Sequence, residues 1–187
     1  MAVTTLDPKT ALIVIDLQKG IVAFPTAHPA SEVVRQASIL ADAFRGRGLP
    51  VALVNVAGAP PGRTEQPPRA GSFPDGWADL VPELKQQPTD HIVTKRTAGA
   101  FVSTDLEAWL KSEGVTQVVI VGVATSMGVE ATARHARDLG FHVTLAVDAM
   151  TDINLDAHTN SIAHVFPRLG ETGTTRDILD LLAKRSA

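Results

Sequence analysis

The sequence predicts an α/β fold in which a doubly wound, mostly parallel sheet carries helices on both faces. Three observations point there. Short, uninterrupted apolar runs rich in β-branched residues recur along the chain, helical patterns separate them, and glycines close those patterns. Strands alternating with helices need right-handed crossovers, which cover both faces of a parallel sheet. With 187 residues and 44% hydrophobic content, the chain fits one domain over 1–187.

The elements follow in order. Ala11–Ile15 is the first strand, and Ser31–Phe44 is a helix whose Val34, Ala37, Leu40 or Ala41, and Phe44 share a face before Gly46 and Gly48. Val51–Val56 and His91–Thr94 are the next strands. Thr104-Asp105-Leu106-Glu107 reads as a capping box opening a helix that stops at Gly114. Gln117–Val121 is the fourth strand. A helix from about Ser126 to Leu139 packs Val129, Ala133 and Ala136 inward, with Glu130–Arg134 and Arg134–Asp138 paired on its wet side. His142–Val147 is the fifth strand, a helix is expected around Leu155–Val165, and Thr174-Thr175-Arg176-Asp177 starts a terminal helix to about Lys184. The Pro/Gly-rich stretch Ala57–Pro74 is too long for a plain connector and reads as a lid or partner contact.

Composition excludes several function classes. A net charge of -3, with both signs scattered, leaves no basic stripe for nucleic acid or an anionic membrane. Without cysteine there is no disulfide, thiolate metal site or thiol regulation. The N-terminal stretch lacks a charged leader region, and its apolar run is far below the ~18 residues of a membrane span, so a cytoplasmic location is expected. The six histidines form no HExxH motif or i,i+4 pair, and no GxGxxG or Walker A sequence is present. No cofactor and no metal are expected.

In open parallel sheets the ligand crevice lies beyond the carboxyl ends of the strands. Three segments bring polar residues to that edge: Asp16 and Gln18 after the first strand, Lys95 and Arg96 after the third, and the turn Ala124–Gly128 after the fourth. Each residue also has a plain structural reading. Asp16 could be a turn residue, Lys95 a surface lysine, and at least one of Thr125 and Ser126 is expected to cap the following helix. The functional reading rests on their coincidence at one edge. The helix start adds amides able to hold an anion, and Gly128 lets a ligand approach them. Phe24, Trp77 and Phe101 read as core or pocket walls.

ALIVIDLQKGIV at 11–22, VTKRTAGAF at 93–101 and VVIVGVATSMGVEATARHARDLGFHVTLAVDAMTD at 118–152 resemble the isochorismatase-like superfamily of cysteine hydrolases. The likeness runs from about residue 10 to FPRLGETGTT at 166–175. It implies a six-stranded, largely parallel sheet, a homo-oligomer such as a dimer or tetramer, and a small-molecule substrate. It also implies a triad of Asp, Lys and Cys, which falls on Asp16, Lys95 and, at the Cys position, Gly128. A non-proline cis peptide is implied between Val123 and Ala124. Some relatives bind zinc through an Asp and two His after the second strand, where this chain has Asn55 and no histidine.

The glycine at 128 removes the thioester chemistry of the amidase branch, because nothing there can act as nucleophile. Ser126 is no substitute: the nearest downstream histidine, His135, is ~13 Å away along a helix. The isochorismatase branch includes members without the Cys that cleave a vinyl ether by protonation from the Asp and attack of water. The resemblance therefore implies Asp16 as general acid. Lys95 and the backbone at Met127–Gly128 would hold substrate carboxylate or water, Gln18 would orient the acid, and Phe24, Phe101, Thr125 and Ser126 would line the substrate site. Arg63 and Arg96 are weaker anion contacts. A neighbouring Lys95 lowers an Asp pKa by roughly 1–3, against the needs of an acid, whereas burial opposes it. Two alternatives stay open: a binding or assembly protein that has lost the chemistry, and a water-activating hydrolase of another small carbonyl compound.

Overall fold

The computed structural model describes residues 3–65 and 73–184. Six strands, β1 (Thr10–Ile15), β2 (Val51–Val56), β3 (His91–Lys95), β4 (Gln117–Val123), β5 (His142–Thr151) and β6 (Glu171–Gly173), form one sheet in the order β3-β2-β1-β4-β5-β6. Every neighbouring pair is parallel. The chain starts mid-sheet, winds outward to β3, then crosses back to β4 and winds out to β6. The order therefore reverses between β1 and β4, and a crevice belongs beyond their carboxyl ends.

β1 shows why these runs are continuously apolar. Leu12 and Val14 pack into a core formed with α2 (Ala30–Arg45) and α7 (Thr175–Lys184), while Ala11, Ile13 and Ile15 pack into a second core on the other face with α3 (Leu106–Ser112) and α4 (Glu130–Asp138). Alternate side chains leave opposite faces of a strand, and both faces are covered here, so Ala11–Ile15 are all apolar and the polar Thr10 at the strand start gives its hydroxyl to the Asp7 carbonyl. All of β1 is buried.

The five strands read from the sequence are present, with two differences at the far side. β5 continues past Val147 to Thr151, because the β4–β5 register shifts between Ile120, paired with Leu145, and Gly122, paired with Met150. The extra β5 residues bulge there and include Asp148, which hid the continuation from a pattern reading. The three-residue β6 carries no apolar run of its own.

The helix starts differ more. The expected capping box at 104–107 does not form. The Thr104 hydroxyl donates to the Ala100 carbonyl at 2.6 Å, and Glu107 instead pairs with Lys111 one turn on. The helix after β4 opens with a π turn over Thr125–Val129 before α4, and no side chain caps it from its first flanking position. Arg134 directs both Nε and Nη2 to Glu130. The segment around 155–165 is α5 (Leu155–Asn160), capped by the Asn154 side chain on the Ala157 N–H, followed by a π turn over Ser161–Val165 and the short α6 (Phe166–Leu169).

Of the long stretch 57–74 read as a lid or partner contact, residues 66–72 lie outside the described part. The segment that follows is tied down beside β1. Trp77 and Asp79 carbonyls accept the N–H groups of Gly20 and Lys19 in α1 (Lys19–Val22) and its approach, and Leu80 bridges to Gln18. Among the described residues no helix is long and apolar enough to cross a membrane.

Candidate active site

Asp16 follows the last residue of β1 and turns the chain with φ of 53°, a left-handed backbone that Asp tolerates better than most side chains. Its N–H bonds the Val54 carbonyl at 2.9 Å, which anchors the turn to β2. Lys95 ends β3, two strands away. The two side chains nevertheless meet: Nζ of Lys95 lies 2.8 Å from Oδ2 of Asp16 and also donates to the Thr97 carbonyl at 3.1 Å. Asp16 is 5% and Lys95 2% exposed. Oδ1 of Asp16 is buried with no hydrogen-bond partner among the described residues.

Burial and the ammonium act on Asp16 in opposite directions. Removal from water disfavours the carboxylate, while the charge and hydrogen bond of Lys95 favour it. Burial is the larger influence, and the Asp16 carboxyl is pushed up to about 6. A carboxyl titrating there keeps a usable protonated fraction near neutrality, as a general acid requires.

The third corner is Gly128. A Cβ placed on it would lie 3.3 Å from Oδ2 of Asp16, 3.4 Å from the Val123 carbonyl oxygen and 2.9 Å from Cγ2 of Ile15. Position 128 thus faces the acid directly. The Val123–Ala124 peptide that leads into this turn is cis.

Residues 10–177 match the isochorismatase domain model. The chain belongs to the isochorismatase family of hydrolases. It is 40% identical over 179 residues to the isochorismatase family protein YwoC of Bacillus subtilis, covering 92% of this chain and 93% of the relative. It is 36% identical over 149 residues to a streptothricin hydrolase of Streptomyces noursei, covering 79% of this chain and 51% of that protein. An isochorismatase family protein from Burkholderia thailandensis, at 38% identity, superimposes with a TM-score of 0.92 over 96% of this chain and 98% of its own. These likenesses account for the six-stranded parallel sheet.

Within this isochorismatase-family frame, several residues assigned to substrate from the sequence are engaged elsewhere. Gln18 is buried and its hydrogen bonds go elsewhere than the acid: its Nε2 donates to the Val56 and Trp77 carbonyls at 3.0 and 3.2 Å, and its Oε1 accepts the Val56 N–H at 2.7 Å. It clamps the end of β2 to the 77–81 segment. The Met127 N–H donates to the Ala124 carbonyl at 3.1 Å, inside the turn, and the Met127 side chain is exposed. Thr125 is fully buried with Oγ1 2.8 Å from Nδ1 of His158.

Ser126 donates both its N–H and its hydroxyl to Oδ2 of Asp152, each at 2.8 Å. Neither Thr125 nor Ser126 therefore caps the helix with its own side chain. The cap comes from Asp152 at the end of β5, whose carboxylate sits where an anion was expected from the sequence. Asp152 also accepts the Asn154 N–H through Oδ1 at 3.2 Å. This acid lies 26 residues from Ser126, and no local pattern reveals such a long-range cap. His158 likewise escaped the sequence. Its burial, and then the neighbouring His28 ring, push its pKa below the usual histidine range, against the pull of Asp152.

Phe24 is exposed after α1, while Phe101 packs against the second core and stacks on Phe141 with centroids 6.2 Å apart. Arg63 is exposed, and Arg96 donates to the Ala57 carbonyl at 3.2 Å. Asn55 gives its Nδ2 to the Ala78 carbonyl at 2.9 Å and leaves Oδ1 buried without a partner among the described residues. Among the described residues no group of three His, Cys, Asp or Glu could hold a metal ion.

One further residue joins the two sides of the site. The hydroxyl of Thr132, fully buried in α4, donates to the Gly128 carbonyl at 2.6 Å and accepts the Ala100 N–H at 3.1 Å. Thr97, whose carbonyl holds Lys95, donates its own hydroxyl to the Gly99 carbonyl at 2.8 Å. The turn carrying Gly128 and the loop supporting Lys95 are thus coupled through a single side chain.

Proposed function

We propose that the chain is a hydrolase of isochorismatase type that acts on a small anionic substrate with Asp16 as general acid and no covalent thioester. The observation that carries this reading is the Asp16 carboxyl itself: dry, raised to about 6, paired with Lys95 on Oδ2 and unpartnered on Oδ1, with a glycine facing it at the nucleophile position. In vinyl-ether cleavage the Asp16 proton goes to the terminal alkene carbon, and water adds to the resulting oxocarbenium carbon. The added water returns a proton to the Asp16 carboxylate, and the hemiketal collapses to a carbonyl compound and an alcohol. No protein nucleophile takes part. Lys95 steadies the carboxylate after proton transfer and offers its charge to a substrate anion.

The near-complete burial of both groups favours a second reading, a family member that binds a small molecule or assembles without chemistry. One experiment separates them. Wild type and Asp16→Asn are incubated with isochorismate and with a panel of small amides. The first reading expects cleavage of isochorismate that falls by about 10²-fold or more in the variant. Equal rates for both proteins overturn it, and amide turnover without vinyl-ether cleavage points instead to a water-activating hydrolase.

A further inference from the structure

Three arginines gather at the opposite edge of the sheet, away from the strand ends that carry Asp16. Two adjoining cavities, of about 350 and 320 Å³, open near the starts of β4 and β5 and share Arg137, Arg168 and Leu169. The second is lined by Arg134 and Arg137 of α4, by His164, and by Arg168 of α6, with Asp138 as the acid among its lining residues. Arg134 and Arg137 stand one helical turn apart, as do His164 and Arg168, so two helical segments each turn a basic row into one groove.

Arg134 is neutralised by Glu130, whose other oxygen takes the Ser161 hydroxyl. Arg137 and Arg168 form no ion pair or side-chain hydrogen bond among the described residues. Several other exposed cations are paired: Lys19 with Asp79, Lys111 with Glu107, Arg176 with Asp180. The larger cavity also carries the carboxylates of Asp7 and Glu171, which accept the hydroxyls of Thr116 and Thr4 and, among the described residues, form no ion pair with Arg137 or Arg168. Arg137 and Arg168 therefore keep their guanidinium donors uncommitted in one groove, beside carboxylates that do not pair with them. Uncommitted donors gathered in a concave groove suit an anion.

The geometry points to this groove as a binding site for a phosphate-bearing small molecule, held by Arg137 and Arg168 from opposite helices. A guanidinium offers a planar fork of donors. A carboxylate has two oxygens and satisfies one fork, whereas a phosphoryl group presents three and can engage two forks from different sides. The cavity volume leaves room beyond the phosphoryl group for the rest of a small molecule.

Inorganic pyrophosphate is the probe, titrated into the full chain at constant ionic strength, with acetate and succinate as parallel titrants. Side-chain Nε–H resonances of arginine report occupancy, and thermal unfolding reports linked stabilisation. The expected result is saturable binding of pyrophosphate that shifts two arginine resonances and weakens at least about tenfold in R137Q/R168Q. R176Q, which changes an exposed arginine outside the groove, leaves it unaltered. Absence of saturation, equal affinity in R137Q/R168Q, or succinate binding as tightly as pyrophosphate overturns the proposal. Both substitutions fall on exposed side chains, so the folded state of R137Q/R168Q is checked by its unfolding temperature without ligand.

Discussion

Oδ2 of Asp16 and Nζ of Lys95 are 2.8 Å apart at the carboxyl edge of the sheet, both out of water, and burial outweighs the ammonium in setting the acidity of the pair. The first prediction concerns pH. If protonated Asp16 is the donor, kcat/KM falls as pH rises through about 6, and the ¹³Cγ resonance of Asp16 titrates with a midpoint near that value. A midpoint at or below the ordinary Asp value of 3.8 excludes the role.

The same carboxyl links stability to pH with an unusual sign. Its folded pKa lies above its unfolded one, so the native state binds the proton more tightly. Its stabilising contribution is present below about 4, is lost as pH rises from there through about 6, and is level above. The loss is at most roughly 3 kcal/mol. Asp16→Asn removes this component, which chemical denaturation at pH 4, 5, 6 and 7 measures. An unchanged pH profile in the variant contradicts the assignment.

Lys95→Met tests the other half of the pair. It removes the charge and hydrogen bond that lower the Asp16 pKa and keeps the apolar stem, so the Asp16 midpoint moves above 6. The carboxyl responds by staying protonated at neutral pH, which spares the fold an unpaired buried charge. A downward movement of the midpoint, read by the same resonance, would show that Lys95 does not hold the Asp16 pKa down.

Gly128 is held to glycine by contact. A methyl group there meets Cγ2 of Ile15 at 2.9 Å and Oδ2 of Asp16 at 3.3 Å, and Ile15 is a fully buried, β-branched residue with little freedom to yield. Gly128→Ala is expected to cost about 1–3 kcal/mol by overpacking, even though it adds helix propensity. Urea denaturation checks this, and a stabilised variant would mean that Ile15 moves freely.

How much of this was legible in the sequence depends on the range of the interaction. Ala11–Ile15 and Val118–Val121 announce themselves because burial on both faces favours an unbroken apolar run. Position Gly128 and the pairing of Asp16 with Lys95 came through resemblance across the whole chain, since nothing near Asp16 states what lies beside it. Asp152, His158 and the clamp made by Gln18 join segments 26 to 59 residues apart by single polar bonds, which leave no period to read. The capping box at 104–107 failed because Glu107 turns to Lys111, while the Thr104 hydroxyl donates to the Ala100 carbonyl outside the pattern and accepts only the Leu106 N–H, at 3.4 Å.

Thr132 offers the sharpest test of how the site is braced. Thr132→Val keeps the shape and removes the hydroxyl, leaving the Ala100 N–H buried without its acceptor and the Gly128 carbonyl without this donor. An unsatisfied buried group costs about 1–3 kcal/mol, so a destabilisation of that size is expected in urea. Thr132→Ser retains the hydroxyl and should recover most of the hydrogen bonding, with a smaller loss for the missing methyl. If the brace also fixes the Lys95 loop relative to the Gly128 turn, Thr132→Val shifts the Asp16 titration midpoint and Thr132→Ser does not. Equal destabilisation by both substitutions, with the midpoint unmoved in each, would reduce Thr132 to a packing residue and detach the Gly128 turn from the support of Lys95.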